Sequence, residues 1–126
     1  NGKVEEAISA YKKSLNEIKK PAPLIMLALA NMLLERKNSP SSYENAKTLL
    51  EKTIFLEPFN IFAWHLKGIA HNKLSERNLA DLSAAEEFLI RRDFNRSQFF
   101  ANKVLENSKT NSPESIRAMD ILNIVN

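Results

Sequence analysis

Few residues in this chain are able to bind a metal or move a proton, and their spacing limits what each can do. The two histidines, His65 and His71, stand six positions apart. A zinc-peptidase helix needs histidines at i and i+4 on one face, with a glutamate beside the first. At about 100° per residue the two rings fall on nearly opposite sides of a helix, and Leu66 follows the first. The pair does not chelate one ion, so His65 is expected to face solvent or a groove, and no metal site is expected. Carboxylates cluster as Glu5 with Glu6, Glu86 with Glu87, and Asp81 near Glu86. Adjacent carboxylates on a helix diverge, so these are expected on the solvated surface and not as an acid–base couple. The serines lack the strand–turn–helix setting of a nucleophile. Gly2 and Gly68, the only glycines, cannot make a phosphate loop. Without cysteine, disulfides, thiolate metal sites and a cysteine nucleophile are excluded. These residues predict no catalytic site and no cofactor in this chain.

The elements that carry them read as helices. Over 126 residues, 44% hydrophobic and 26% charged side chains suit a folded domain. With so few glycines and only five prolines, long helices with short connections follow. Apolar spacing predicts helices over Lys3–Lys19, Pro23–Lys37, Tyr43–Leu56, Ile61–Leu74, Leu79–Arg91 and Phe94–Asn107, and a seventh from Pro113. Asn1-Gly2 reads as the turn before the first, and Lys20-Pro21-Ala22-Pro23 stops it. Ser41 or Ser42, Asn60, Asp93 and Ser112 are the expected caps. The apolar residues expected inside the fourth helix include Phe62 and Trp64. Phe55, Phe59, Phe88 and Phe94 are likewise expected in the core, whereas the adjacent Phe99 and Phe100 diverge so that one is exposed or covered by another part of a longer protein. Arg91-Arg92 sits at a helix end, where cations suit the dipole. A net charge of +3 without a basic block argues against a nucleic-acid partner. Leu24 to Ala30, the longest apolar run, is too short to enter and cross a membrane.

Certain spacings recur. Ala7-(x)3-Tyr11-(x)2-Ser14-Leu15, Ala46-(x)3-Leu50-(x)2-Thr53-Ile54 and Ser97-(x)3-Ala101-(x)2-Val104-Leu105 share one pattern, and Trp64-(x)3-Gly68-(x)2-His71 gives another. These resemble, respectively, the second and first helices of a tetratricopeptide repeat. The resemblance implies an all-α, right-handed superhelix of antiparallel helix pairs, a solenoid of about seven helices. The chain departs from that family at Lys67, where leucine is usual, at His71, where tyrosine is usual, and in an overlong loop around Asn38 to Ser42. A narrower likeness rests on Leu56-Glu57-Pro58-Phe59-Asn60-(x)3-Trp64, Ala85-Glu86-Glu87 and Ser112-Pro113-(x)3-Arg117-Ala118-(x)-Asp120-Ile121. It resembles the C-terminal repeat region of bacterial periplasmic HExxH zinc metallopeptidases. That resemblance implies a single helical-repeat domain over 1–126, the C-terminal fragment of a longer protein whose catalytic domain lies upstream, in the periplasm. Without it, a cytoplasmic location is expected.

Repeats of this kind bind a polypeptide along their first helices. The groove candidates in this register are Met26, Ala30 and Leu33 on the second helix and His65, Ile69, Asn72 and Lys73 on the fourth. The expected function is a protein- or peptide-binding scaffold that recruits substrates or partners for the peptidase. The alternatives are a lid packing on the upstream catalytic domain and a stand-alone adaptor that self-associates through Phe99 or Met119.

Overall fold

The computed structural model describes residues 2–20 and 22–126, so the parts of the expected turns that fall on Asn1 and Pro21 lie outside the described residues. Among the described residues there are seven α-helices and no strand. They are α1 (Gly2–Glu17), α2 (Pro23–Leu34), α3 (Pro40–Leu56), α4 (Ile61–Lys73), α5 (Arg77–Ile90), α6 (Phe94–Asn107) and α7 (Pro113–Val125). None is long and apolar enough to cross a membrane. The all-helical reading holds, with shifts at the ends. α2 stops at Leu34 rather than Lys37, and α5 starts at Arg77 rather than Leu79. α3 starts at Pro40 instead of Tyr43, because proline at the first helical position needs no amide partner. Ser42 is buried inside that first turn and accepts from the Ser39 hydroxyl, so neither Ser41 nor Ser42 is the cap.

Three caps form as the sequence predicts. The side chains of Asn60, Asp93 and Ser112 accept from the amides of Ala63, Arg96 and Ser115 at 3.1, 3.2 and 3.2 Å. The two ends of α5 are held by matching turns. At one, Glu76 N–H bonds His71 O at 2.8 Å and Ser75 N–H bonds Asn72 O. At the other, Asp93 N–H bonds Phe88 O at 2.9 Å and Arg92 N–H bonds Leu89 O. This is the helix-ending motif that needs one residue in the left-handed region, usually glycine. Ser75 (φ 60°) and Arg92 (φ 62°) occupy it here. The residue after each of them occupies the N-cap position of the next helix, with a side-chain bond only at Asp93, so three residues turn the chain back on itself.

Packing divides the helices into two triplets. α2, α3 and α4 all touch one another, as do α5, α6 and α7; α1 packs on α2, and α4 on α5. No Cα atoms of any other helix pair come within 8 Å. α2, α4, α5 and α7 therefore form a continuous row, with α1, α3 and α6 outside it. Each triplet has its own core. Leu29, Leu33, Ala46, Leu50 and Ala70 belong to the first, and Ala85, Ala101, Val104 and Ile121 to the second. The repeated spacing marks the outer helices: Ala46, Leu50 and Thr53 on α3 and Ser97, Ala101 and Val104 on α6 are all fully buried. Their hydroxyls are satisfied, Thr53 donating to Leu49 O and Ser97 to Ala85 O, both at 2.9 Å. On α1 the equivalent residues are only half-buried, because α1 touches a single helix.

Gly68 faces α5, yet a Cβ there would lie 3.7 Å from Ala80 O and from Ser83 Cβ, an ordinary contact. Gly68→Ala is expected to stabilise the chain by about 0.5–1 kcal/mol through helix propensity, whereas Gly68→Leu is expected to force α4 and α5 apart and destabilise it. Ser75→Gly is expected to gain a similar amount, about 0.5–1 kcal/mol, because left-handed strain exceeds the glycine entropy cost. Urea melts of the three variants check these signs; a destabilised Gly68→Ala would mean that α4 and α5 sit closer than described.

Candidate binding cleft

α5 lies between α4 and α7, which do not touch each other. It is therefore the floor of a trough with α4 and α7 as walls. Glu86 and Glu87, adjacent on α5, diverge to opposite walls. Glu87 lies 3.1 Å from Nδ1 of His65 on α4 and accepts from Arg91 Nε at 2.9 Å. Glu86 accepts two bonds, both 2.7 Å, from the guanidinium of Arg117 on α7. At 8% and 7% exposed, neither is the solvated surface carboxylate the sequence suggests. A buried carboxylate stays charged only when paired, and these pairs tie both walls to the floor.

Above Glu86 the trough opens into a cleft of about 550 Å³, lined chiefly by Phe59, Trp64, Leu89, Phe94, Arg117 and Ile124, with Arg92 also on its edge. Arg117 and Ile124 are seven residues apart, about 10 Å along α7. The short connections make successive helices antiparallel, so the ends of α3, α5 and α7 and the starts of α4 and α6 meet at this mouth. Trp64 is held in place by its Nε1–H, which donates to Pro58 O at 2.9 Å. Lys67 Nζ sits 5.4 Å from the centroid of the same ring. Burial pulls the Lys67 ammonium below its ordinary pKa, against the attraction of Glu51 and Glu86. The Arg92 side chain is exposed, and its guanidinium makes no hydrogen bond or ion pair among the described residues.

Most of the phenylalanines are not core residues, although Phe88 is half-buried and Tyr43 is buried in the first core. Phe55 is 84% and Phe59 80% exposed, and Phe62, Phe94 and Phe99 are exposed as well. The core crossings are filled by alanine, serine, threonine, valine and leucine, which bring helices too close for a phenyl ring. Phe55, Phe59, Phe62 and Phe94 stand instead at helix ends and turns. Phe100 is half-buried, stacked on Phe88 at 5.7 Å, with Phe99 edge-on to it. A second apolar hollow, about 510 Å³, lies between Met26, Thr48 and Phe55.

The seven groove candidates from the sequence do not assemble into one surface. Ala30 and Leu33 are fully buried and offer nothing to a guest, and Met26 is buried with only an edge on the second hollow. Ile69 packs partly buried against the first core. Asn72 and Lys73 are exposed at the far end of α4, where Lys73 Nζ lies 5.2 Å from the Tyr43 ring centroid. His65 borders the trough through Glu87. The error lies in treating α2 as an open face; α1, α3 and α4 all pack on it.

At the far end of α5, His71 is buried and its Nδ1 lies 2.9 Å from Glu76, which also meets Lys47 at 3.1 Å. Asp81, 8% exposed, keeps one buried oxygen without a partner. His71 and His65 thus serve different carboxylates. The segment Ser112 to Ile121 also has structural work throughout: Ser112 caps α7, Pro113 starts it, Arg117 holds Glu86, and Ala118 and Ile121 are fully buried. Comparison with protein-family models, curated proteins and solved structures finds no match to this chain.

Burial holds the His71 imidazole below its usual pKa, against the bond to Glu76. Unfolded, His71 takes up a proton near the ordinary imidazole value of about 6.5, so folding stability falls as pH drops below that value. Glu76 is held below its ordinary value first by the His71 bond and then by Lys47, so its contribution is lost at lower pH still. The urea midpoint is expected to fall from about pH 7 to about pH 5, and His71→Gln to flatten that limb; an unchanged slope in the variant would place the acid sensitivity elsewhere. Arg117→Ala leaves Glu86 buried without its partner and is expected to cost about 2 kcal/mol, with much of it recovered in Glu86→Gln/Arg117→Met.

Proposed function

We propose that the chain is a protein-interaction scaffold that holds a segment of another polypeptide in the α4–α5–α7 cleft. The observation that carries this is a ready-made apolar hollow, rimmed by exposed Phe59, Phe94 and Ile124, whose inner charges Glu86 and Arg117 already satisfy each other. Exposed aromatic anchors around a pre-formed pocket favour side-chain insertion by a partner. Its volume falls within the range of about 300–1,000 Å³ over which such pockets work.

The tetratricopeptide-type solenoid belongs to the same proposal. Its support is the shared buried spacing on α3 and α6, the two helices that stand outside the row. In that register α5 is an added first-type helix, which turns the groove from the α2–α4 face to the α4–α7 face. A recruiting role beside a zinc peptidase, with its periplasmic setting, rests on the sequence likeness of Leu56 to Ile121 alone.

Peptides selected from a random displayed library on the intact chain test the site. Trp64 is the only tryptophan, so its fluorescence reports occupancy of the cleft directly. Phe59→Ser with Ile124→Ser is expected to weaken selected tryptophan-free peptides by about tenfold or more, with the melting curve unchanged. Asn72→Ala with Lys73→Ala is expected to leave binding as it was. The opposite pattern would move the site to the far end of α4, and failure to select any peptide would overturn the scaffold reading.

A further inference from the structure

We infer that the guest segment carries an acidic side chain beside its apolar anchor, and that Arg92 receives it. This rests on the binding function proposed above and deepens it. Three charges line the cleft: Glu86, Arg92 and Arg117. Glu86 and Arg117 cancel through two bonds of 2.7 Å. Arg91, the neighbour of Arg92, is held by Glu87. The adjacent carboxylate, Asp93, accepts from the Arg96 amide and lies 3.4 Å from the Arg96 guanidinium, both within its own helix. Arg92 is thus left as the one uncompensated charge of the lining.

Its backbone is fixed although its side chain is free. The turn bonds Arg92 N–H to Leu89 O and Asp93 N–H to Phe88 O hold the stem at the rim. The start of α6, whose first residue Phe94 also lines the cleft, presents the positive end of a helix dipole to the same place. A purely apolar guest seated here would strip water from Arg92 without replacing it, which is costly for a cation. A basic guest would be repelled. A carboxylate gives Arg92 a charge-assisted bond, and the planar guanidinium allows two. Phe59, Trp64, Leu89 and Ile124 take the apolar side chain next to it.

The test uses synthetic tryptophan-free peptides derived from the library selection, each made as a Glu and a Gln version, with Trp64 fluorescence as the readout. On the wild-type chain the Glu version is expected to bind about five- to tenfold tighter, with the advantage shrinking as salt rises from about 50 to 500 mM. On Arg92→Gln the two versions are expected to bind equally, and on Arg92→Lys the preference to persist in weaker form. Arg92→Glu is expected to favour a Lys version. Each of these variants keeps an ordinary L-residue in the turn, and unchanged melts establish that the fold is intact. Equal binding of the Glu and Gln peptides to the wild type would overturn the inference, as would a preference that survives Arg92→Gln. In either case the scaffold reading stands if Phe59→Ser/Ile124→Ser still abolishes binding. Peptides insensitive to both sets of variants would overturn both.

Discussion

The architecture depends on how closely its helices are allowed to cross. On α3 and α6 the fully buried positions hold alanine, serine, threonine, valine and leucine, and nothing larger. Such side chains let backbones approach and interdigitate tightly. A phenyl ring at any of these sites would overpack the crossing. Phe55, Phe59 and Phe62 consequently stand at the α3–α4 turn and the helix ends beside it, where most of their surface meets solvent. The apolar rim of the cleft is thus the other face of α3 and α6 crossings that leave no room for a phenyl ring.

Helix identity was legible in the sequence because amphipathic spacing and capping residues act locally. Asn60, Asp93 and Ser112 cap where their types say they should. The buried triple on α6 follows the same spacing as that on α3, and the outer position of both helices agrees with it. The spacing shared by α3 and α6 therefore marks positions that are fully buried on both helices. The breadth of apolar surface on α2 marks it as covered on two sides, but spacing could not show that none of its faces stays open as a groove. α2 is apolar on more than one face because three neighbours press on it, and so its residues read as a groove when they are interior. The aromatic residues misled for a related reason: their hydrophobicity argues for burial, and only the width of the crossings decides against it.

The acidic pair on α5 escaped sequence reasoning more completely. Glu86-Glu87 looks like many solvated pairs, and its burial depends on partners 31 and 22 residues away. One local clue was present, the i,i+4 relation of Glu87 to Arg91. Burying two carboxylates side by side costs stability unless each has its own cation, and the divergence of adjacent helical residues supplies that arrangement. The same divergence that argues against acid–base chemistry makes the pair suitable as a brace between two walls.

The two cores meet only along α4 and α5, a seam that holds Gly68 against Ala80 and Ser83, and His65 against Glu87. Pro58, Phe59 and Trp64 come from one side of it, and the remaining cleft residues from the other. Whatever fills the hollow therefore touches helices of both cores at once. A guest held there adds its binding free energy to the packing of α4 on α5 by mass action, so the join between the cores gains resistance to opening in proportion to occupancy.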